Sequence, residues 1–150
     1  MISNIYLYTF FIAMVPVIEL RGAIPIGVSL GLSHIEAFIV SFIGSIIPIS
    51  FVIYLFRPVA STLRNTFLKK FFDKIEKKAI KNGEYVKRLG LFGLFLFVAI
   101  PLPGTGIYSG SLIAAFLNIR LKHALTIIAC GNFVAGLIVM ILTYGIGRIF

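Results

Sequence analysis

Charge is nearly missing from most of this sequence. Five acidic residues stand against fourteen basic ones in a chain of 150, and residues 1–17 carry no charged side chain. A soluble globule covers itself with polar groups and is about 45–50% apolar, whereas 59% of this chain is hydrophobic and its mean hydropathy is +1.06. The shortage excludes a soluble domain and points to one integral membrane domain over residues 1–150. The uncharged start also lacks the positive n-region and small-residue cleavage site of a secretory signal, so the first segment is expected to be retained. Cysteine is reduced to Cys130, which excludes an intrachain disulfide, and with only two histidines no Cys/His metal cluster is in view. Cys130 reads as a small packing residue. There is no Gly-Lys-Ser/Thr phosphate loop, and His34 and His123, both at predicted membrane edges, support no Ser–His–Asp arrangement. An enzyme is not expected, and neither is a metal or cofactor.

The charge that is present is concentrated. Ten of the fourteen Lys and Arg lie between Arg57 and Arg88, alongside Asp73, Glu76 and Glu84. Lys and Arg collect in short loops on the inner side of membranes, so this segment is expected to be cytoplasmic and nucleic acid is not an expected partner. Over Ser61–Ile80, Leu63, Phe67, Leu68, Phe71, Phe72 and Ile75 recur at helical spacing between lysines. That pattern predicts a basic amphipathic helix, lying on anionic lipid headgroups or packed on the membrane domain with its charged face in water.

Two kinds of apolar run flank this segment. Ile5–Ile18 spans fourteen residues, about 21 Å as a helix, too short for a hydrocarbon core of about 30 Å. It meets Glu19-Leu20-Arg21, bracketed by Pro16 and Pro25, before a shorter run, Ala23–Leu32. Leu89–Ile100 likewise meets Pro101-Leu102-Pro103-Gly104-Thr105-Gly106 and resumes over Ile107–Leu117. Each pair of short runs reads as a re-entrant hairpin that enters and leaves on one side; for the first, a long kinked helix is the alternative. Ala37–Phe56, stopped by Arg57-Pro58, and Ala124–Ile146 are long enough to span. Ser33 is placed to cap the first of these spans.

A gapless shift of 87 positions superposes the two halves, pairing Leu7 with Leu94, Pro16 with Pro103, Ala37 with Ala124 and Gly44 with Gly131. Both halves read short run, break, short run, polar edge, long span. With the basic segment inside, the halves are antiparallel. The expected fold is therefore an all-α integral membrane protein of two inverted repeats, each a re-entrant helical hairpin plus one transmembrane helix, joined by a cytoplasmic amphipathic helix. Repeat 1 covers about residues 4–57, the linker about 58–88 and repeat 2 about 89–150. In transporters so built, sites lie where broken helices meet.

The breaks hold the candidate site. An ionisable residue at membrane depth faces protein or a wet cavity and serves function by default. Glu19 and Arg21 admit three roles: structural neutralisation of each other or of another charge, bidentate capture of an anionic headgroup by Arg21, and proton carriage by a desolvated Glu19. Pro25, Pro101 and Pro103 frame the breaks. Gly104, Thr105, Gly106 and Tyr108 offer backbone and hydroxyl groups around a helix N-terminus, which favours anions, although small residues also serve close helix packing. Asn132, whose 87-shift mate is Ser45, is placed to bond the breaks or to join helices.

These residues carry a resemblance. Pro16-Val17-Ile18-Glu19-Leu20-Arg21-Gly22-Ala23-Ile24-Pro25-Ile26-Gly27 with Pro101-Leu102-Pro103-Gly104-Thr105-Gly106 resembles the small multidrug export family, which is similar in turn to the DedA-type membrane proteins of the VTT group. The resemblance implies a small transporter with two opposed re-entrant hairpins, and the DedA connection implies proton-coupled carriage of lipid phosphates such as polyprenyl phosphate, with Glu19 and Arg21 as the acid and base of the first hairpin. The function expected is a proton-coupled secondary transporter of an anionic amphiphile in the inner membrane, multi-pass and homo-oligomeric, with membrane lipids as partners. Export of hydrophobic or cationic drugs and a non-transporting membrane scaffold are the alternatives.

Overall fold

The computed structural model of the protein describes residues 2–63, 77, 81, 88–102 and 104–145. Six helices lie among them: α1 (Ile2–Ala13), α2 (Glu19–Ser29), α3 (His34–Leu63), α4 (Arg88–Ala99), α5 (Ile107–Phe116) and α6 (Leu121–Tyr144). There is no strand among the described residues. The amphipathic helix expected over Ser61–Ile80 lies almost entirely outside the described residues, as does Pro103.

Two stretches, His34–Leu55 and Leu121–Tyr144, are long and apolar enough to cross a membrane. The first differs from expectation at its end, since α3 runs on through Arg57 and Pro58 to Leu63. At 30 residues it is about 45 Å long, which exceeds a hydrocarbon thickness of about 30 Å. A proline costs a helix one donor and need not end it in a membrane protein. The helix starts as expected: Ser33 and Glu36 form a capping box, with the Ser33 N–H donating to Glu36 Oε2 at 2.9 Å and the Glu36 N–H to Ser33 Oγ at 3.3 Å. Tyr6 of α1 donates its hydroxyl to Glu36 Oε1 at 2.5 Å and so ties the start of α1 to the start of α3.

The long helices run antiparallel. His34 meets Tyr144 edge to face at 4.4 Å between ring centroids, Phe38 and Phe42 both meet Phe133, and Ser45 meets Asn132. Farther along, Ile49 and Ile53 share a core with Ala124 and Ile128. Rising numbers on α3 thus meet falling numbers on α6. The short helices fill the two ends of this pair. Leu20 and Ile24 of α2 pack with Phe38 and Met140 at one end, while Leu94 and Val98 of α4 and Ile107 and Ile113 of α5 pack with Ile49, Ile53 and Ile128 at the other. Glycine permits the closest approaches: a methyl group at Gly44 would meet the Phe10 carbonyl of α1 at 2.6 Å, and one at Gly131 the Phe95 carbonyl of α4 at 2.9 Å.

The two halves share their local hydrogen bonding. Leu32 and Gly31 donate to Gly27 and Val28 at the end of α2, and Ile119 and Asn118 donate to Ala114 and Ala115 at the end of α5. Each is a Schellman closure with a left-handed residue past the helix, Gly31 at φ +107° and Asn118 at φ +52°. Every atom of the second closure lies 87 positions after its counterpart in the first.

Two sequence expectations need correction. The first break falls at residues 14–18, before Glu19 rather than through Glu19–Arg21. Proline at 16 disfavours helical geometry at Val15, and Glu19 is favoured in the first turn that follows because an acid there meets the positive helix end. Pro25 accordingly sits inside α2 and brackets nothing. Cys130, expected to pack, is exposed on α6.

Candidate functional site

Glu19 and Arg21 project from the first turn of α2 onto the break between α4 and α5. Glu19, 7% exposed, sets its carboxylate against Gly106 and beside the backbone N–H groups of Ile107 and Tyr108. These are orphan donors at the start of α5, which has no side-chain cap of its own. Gly106 makes this approach possible, because a methyl group there would run into both carboxylate oxygens. Glu19 reaches the position from a left-handed backbone at φ +51°, a conformation that non-glycine residues seldom adopt.

Arg21 treats the other side of the same break. Its Nη1 donates to the Leu102 carbonyl at 2.8 Å, and its Nη2 to the carbonyls of Val98 and Thr105 at 3.1 Å each. Longer contacts reach the Ile100 carbonyl and Thr105 Oγ1, both at 3.4 Å. Val98 belongs to the last turn of α4, where carbonyls lack intrahelical donors and a cation is favoured. The acid therefore caps the positive end of one helix and the base the negative end of the other. None of the five Arg21 bonds goes to Glu19, and Arg21 Nε, also buried, has no partner among the described residues.

The second break reaches back. Tyr108 donates its hydroxyl to the carbonyl of Met14, just past the end of α1. Thr105 Oγ1 lies 2.7 Å from the Ile100 carbonyl and accepts the Leu102 N–H at 3.2 Å, which closes the break on itself.

The structure thus brings together Glu19, Arg21, Thr105, Gly106 and Tyr108. Pro101 lies within the run whose carbonyls Arg21 holds, and Gly104 turns that run at φ +85° with an exposed backbone. Pro25 stands one turn beyond Arg21 in α2, and Asn132 bonds Ser45 Oγ at 2.7 Å, which joins α3 to α6 rather than to a break. Sequence reasoning missed the carbonyls of Val98, Ile100 and Leu102 as the partners of Arg21. Backbone acceptors carry no residue-type signal, though a helix ended by proline always leaves carbonyls that need one.

With this geometry in view, the family becomes identifiable. Residues 19–138, from the capping glutamate through both breaks into α6, match the family described as Putative small multi-drug export protein. The chain belongs to this family. Comparison with curated proteins and with solved structures found no match. Family membership together with two membrane-length apolar helices points to a membrane protein, and the family's description is consistent with a transporter.

Proposed function

We propose that the protein is a secondary transporter of the cytoplasmic membrane that moves an anionic amphiphile, such as a lipid phosphate, together with a proton. The observation that carries this reading is the Glu19 carboxylate set against Gly106, the N-cap of α5, beside the N–H groups of Ile107 and Tyr108. A helix N-terminus is a favourable place for an anion, and here a titratable side chain fills it. Protonation of Glu19 weakens its hold on those donors, and a headgroup oxyanion then takes the vacated place. Arg21 supplies the fixed positive charge beside it, and its Nε–H, without a partner among the described residues, is a donor in reserve. One proton on Glu19 thereby accompanies one bound anion.

The architecture that goes with this reading is an inverted repeat of two hairpin-plus-span units. The shared 87-residue offset, the antiparallel long helices and the packing of α2 and of α4–α5 at opposite ends support it. α1 and α2, with 12 and 11 residues, are about 18 and 17 Å long, which favours re-entry over crossing. Two spans enclose little by themselves, so a homo-oligomer with the basic segment cytoplasmic completes the proposal.

The family description favours a second reading, export of hydrophobic cations with Glu19 as their counter-ion. Protein in liposomes loaded with a pH-sensitive dye separates the two. We expect a short-chain polyprenyl phosphate to drive proton movement that is lost in Glu19→Gln. Proton movement driven by cationic dyes, with no response to the phosphate, would establish the export reading, and silence towards both classes would leave a scaffold.

A further inference from the structure

A serine or threonine inside a helix ordinarily donates its hydroxyl to a carbonyl about one turn back. This chain follows the habit on α2, α3, α5 and α6, where Ser29 donates to Ile26, Ser45 to Phe42, Ser111 to Ile107 and Thr126 to Lys122, at 2.6 to 2.9 Å. Thr9 of α1 and Ser41 of α3 depart from it. Both are fully buried, and neither Thr9 Oγ1 nor Ser41 Oγ has a partner among the described residues. Buried hydroxyls left unpaired are rare, and each calls for a partner.

The two hydroxyls share one corner of the fold. A methyl group at Gly27 of α2 would meet Thr9 Oγ1 and the Cβ of Ala37 at 3.2 Å each, and one at Gly44 would meet the Phe10 carbonyl and Ala13. Ala37, Ser41 and Gly44 follow at helical spacing and lie on one face of α3, so Ser41 stands between the two levels at which α1 lies alongside. The 87-residue offset pairs Thr9 with Leu96, Ser41 with Ile128 and Gly27 with Ala114. In the second half Ile128 and Ala114 belong to an apolar core with Leu94 and Val98. The same corner is thus closed there by larger apolar side chains, and packing alone gives no reason for hydroxyls at 9 and 41.

We propose that Thr9 and Ser41 hold a water molecule between α1, α2 and α3. A water both donates and accepts, so one molecule serves two hydroxyls that do not bond each other. The smaller residues at 9, 27 and 41 leave it the room that Leu96, Ala114 and Ile128 take up in the other half. An alkali cation suits the corner less. The acids among the described residues are engaged elsewhere, Glu36 with Tyr6 and Ser33 and Glu19 against Gly106, and a buried charge without a counter-charge is costly. Tyr6, three residues before Thr9, holds Glu36 near the start of α3, so the site lies about one turn in from that end, on the side where α1 begins. Water placed there gives the half that carries Glu19 a polar interior step, where the second half has Leu96 and Ile128. None of this depends on the transport reading.

The test uses the full chain with Thr9→Val and Ser41→Ala, which remove each hydroxyl and little else. With a shared water, each single variant strands the other hydroxyl and the double variant strands neither. We expect each single variant to lower the unfolding midpoint in detergent, and the double variant to lower it by no more than the larger single loss. Effects that simply add, whether losses or gains, overturn the shared water. A second measurement needs no variant to reach its result: the unsubstituted protein in lipid bilayers, with serine and threonine labelled by 13C, receives magnetisation from water. We expect transfer to Thr9 and Ser41 to build up several-fold faster than to Ser111, which is equally buried but bonded within its own helix. Thr9→Ser and Ser41→Thr, which keep the hydroxyls, assign the signals. Equal build-up at the three residues overturns the site even where the apolar variants fail to fold. Midpoints are also compared in sodium, potassium and choline chloride at one ionic strength, where no difference is expected; a midpoint raised by one alkali cation, with the rise lost in Thr9→Val, would put a cation in place of the water.

Discussion

Glu19 and Arg21 are ionisable groups drawn largely out of solvent, and each is matched to a helix end that would be costly without it. Orphan N–H and C=O groups in a water-poor interior need partners, and a charged partner bonds them more strongly than a neutral one. Arg21→Lys keeps the charge but replaces a planar fork, here serving four carbonyls and a hydroxyl, by a compact ammonium with three donors. We expect it to lower stability by about 1–3 kcal/mol, the cost of leaving a buried acceptor unpaired, read as a lower unfolding midpoint in detergent. Wild-type stability in Arg21→Lys would mean that the carbonyls do not need the fork. Gly106→Ala drives a methyl group into the carboxylate of Glu19, and overpacking costs about 1–3 kcal/mol. Removing the carboxylate removes the collision, so Gly106→Ala is expected to be far milder in a Glu19→Gly background. Equal losses in the two backgrounds would show that the alanine acts elsewhere.

At the scale of elements, α3 and α6 meet at the Asn132–Ser45 bond, where both side chains are buried. Interhelical hydrogen bonds in membranes contribute about 0.6 kcal/mol on average and up to about 1.7 kcal/mol. We expect Asn132→Ala and Ser45→Ala each to destabilise, and the double variant to lose less than the sum, because the second truncation removes a group already left without its partner. Strict additivity would disconnect the pair. These elements were largely legible in the sequence, since run length separates α3 and α6 from the shorter helices and Ser33 announces the start of α3. The limits of the first break were not. Pro16 and Pro25 look alike on paper, yet Pro16 disfavours helix before it while Pro25 is absorbed within α2, and the difference lies in which carbonyls have other donors in three dimensions. The candidate site was legible as residue types, because two isolated charges and a Pro-Gly-Thr-Gly run stand out in apolar sequence. Its wiring was not, because Arg21 is held almost wholly by main-chain oxygens.

At the scale of the whole molecule, depth and sidedness decide whether two short hairpins and two long helices can work as a carrier. If both helices of a hairpin crossed the membrane, the break between them would emerge on the face opposite the hairpin's ends; if the hairpin re-enters, the break stays within reach of the same face. Leu20 is fully buried, whereas Val17 is 92% exposed and Leu102 55% exposed, so the latter two are the positions to probe. Cys130 is exposed and must first be replaced, as Cys130→Ser. In that background Asn4→Cys reports the side on which α1 begins, and Arg120→Cys the side on which α5 has ended. With intact cells and a membrane-impermeant maleimide, we expect Val17→Cys to react, where water reaches it, only from the face that labels Asn4→Cys, and Leu102→Cys only from the face that labels Arg120→Cys. With the basic segment cytoplasmic, as proposed, the Arg120 face lies on the same side, so Asn4→Cys should label in intact cells and Arg120→Cys only after permeabilisation. Labelling of Val17→Cys from the face opposite Asn4→Cys would turn the first hairpin into two crossing helices and remove the confrontation of the breaks across the membrane on which proton-linked carriage depends.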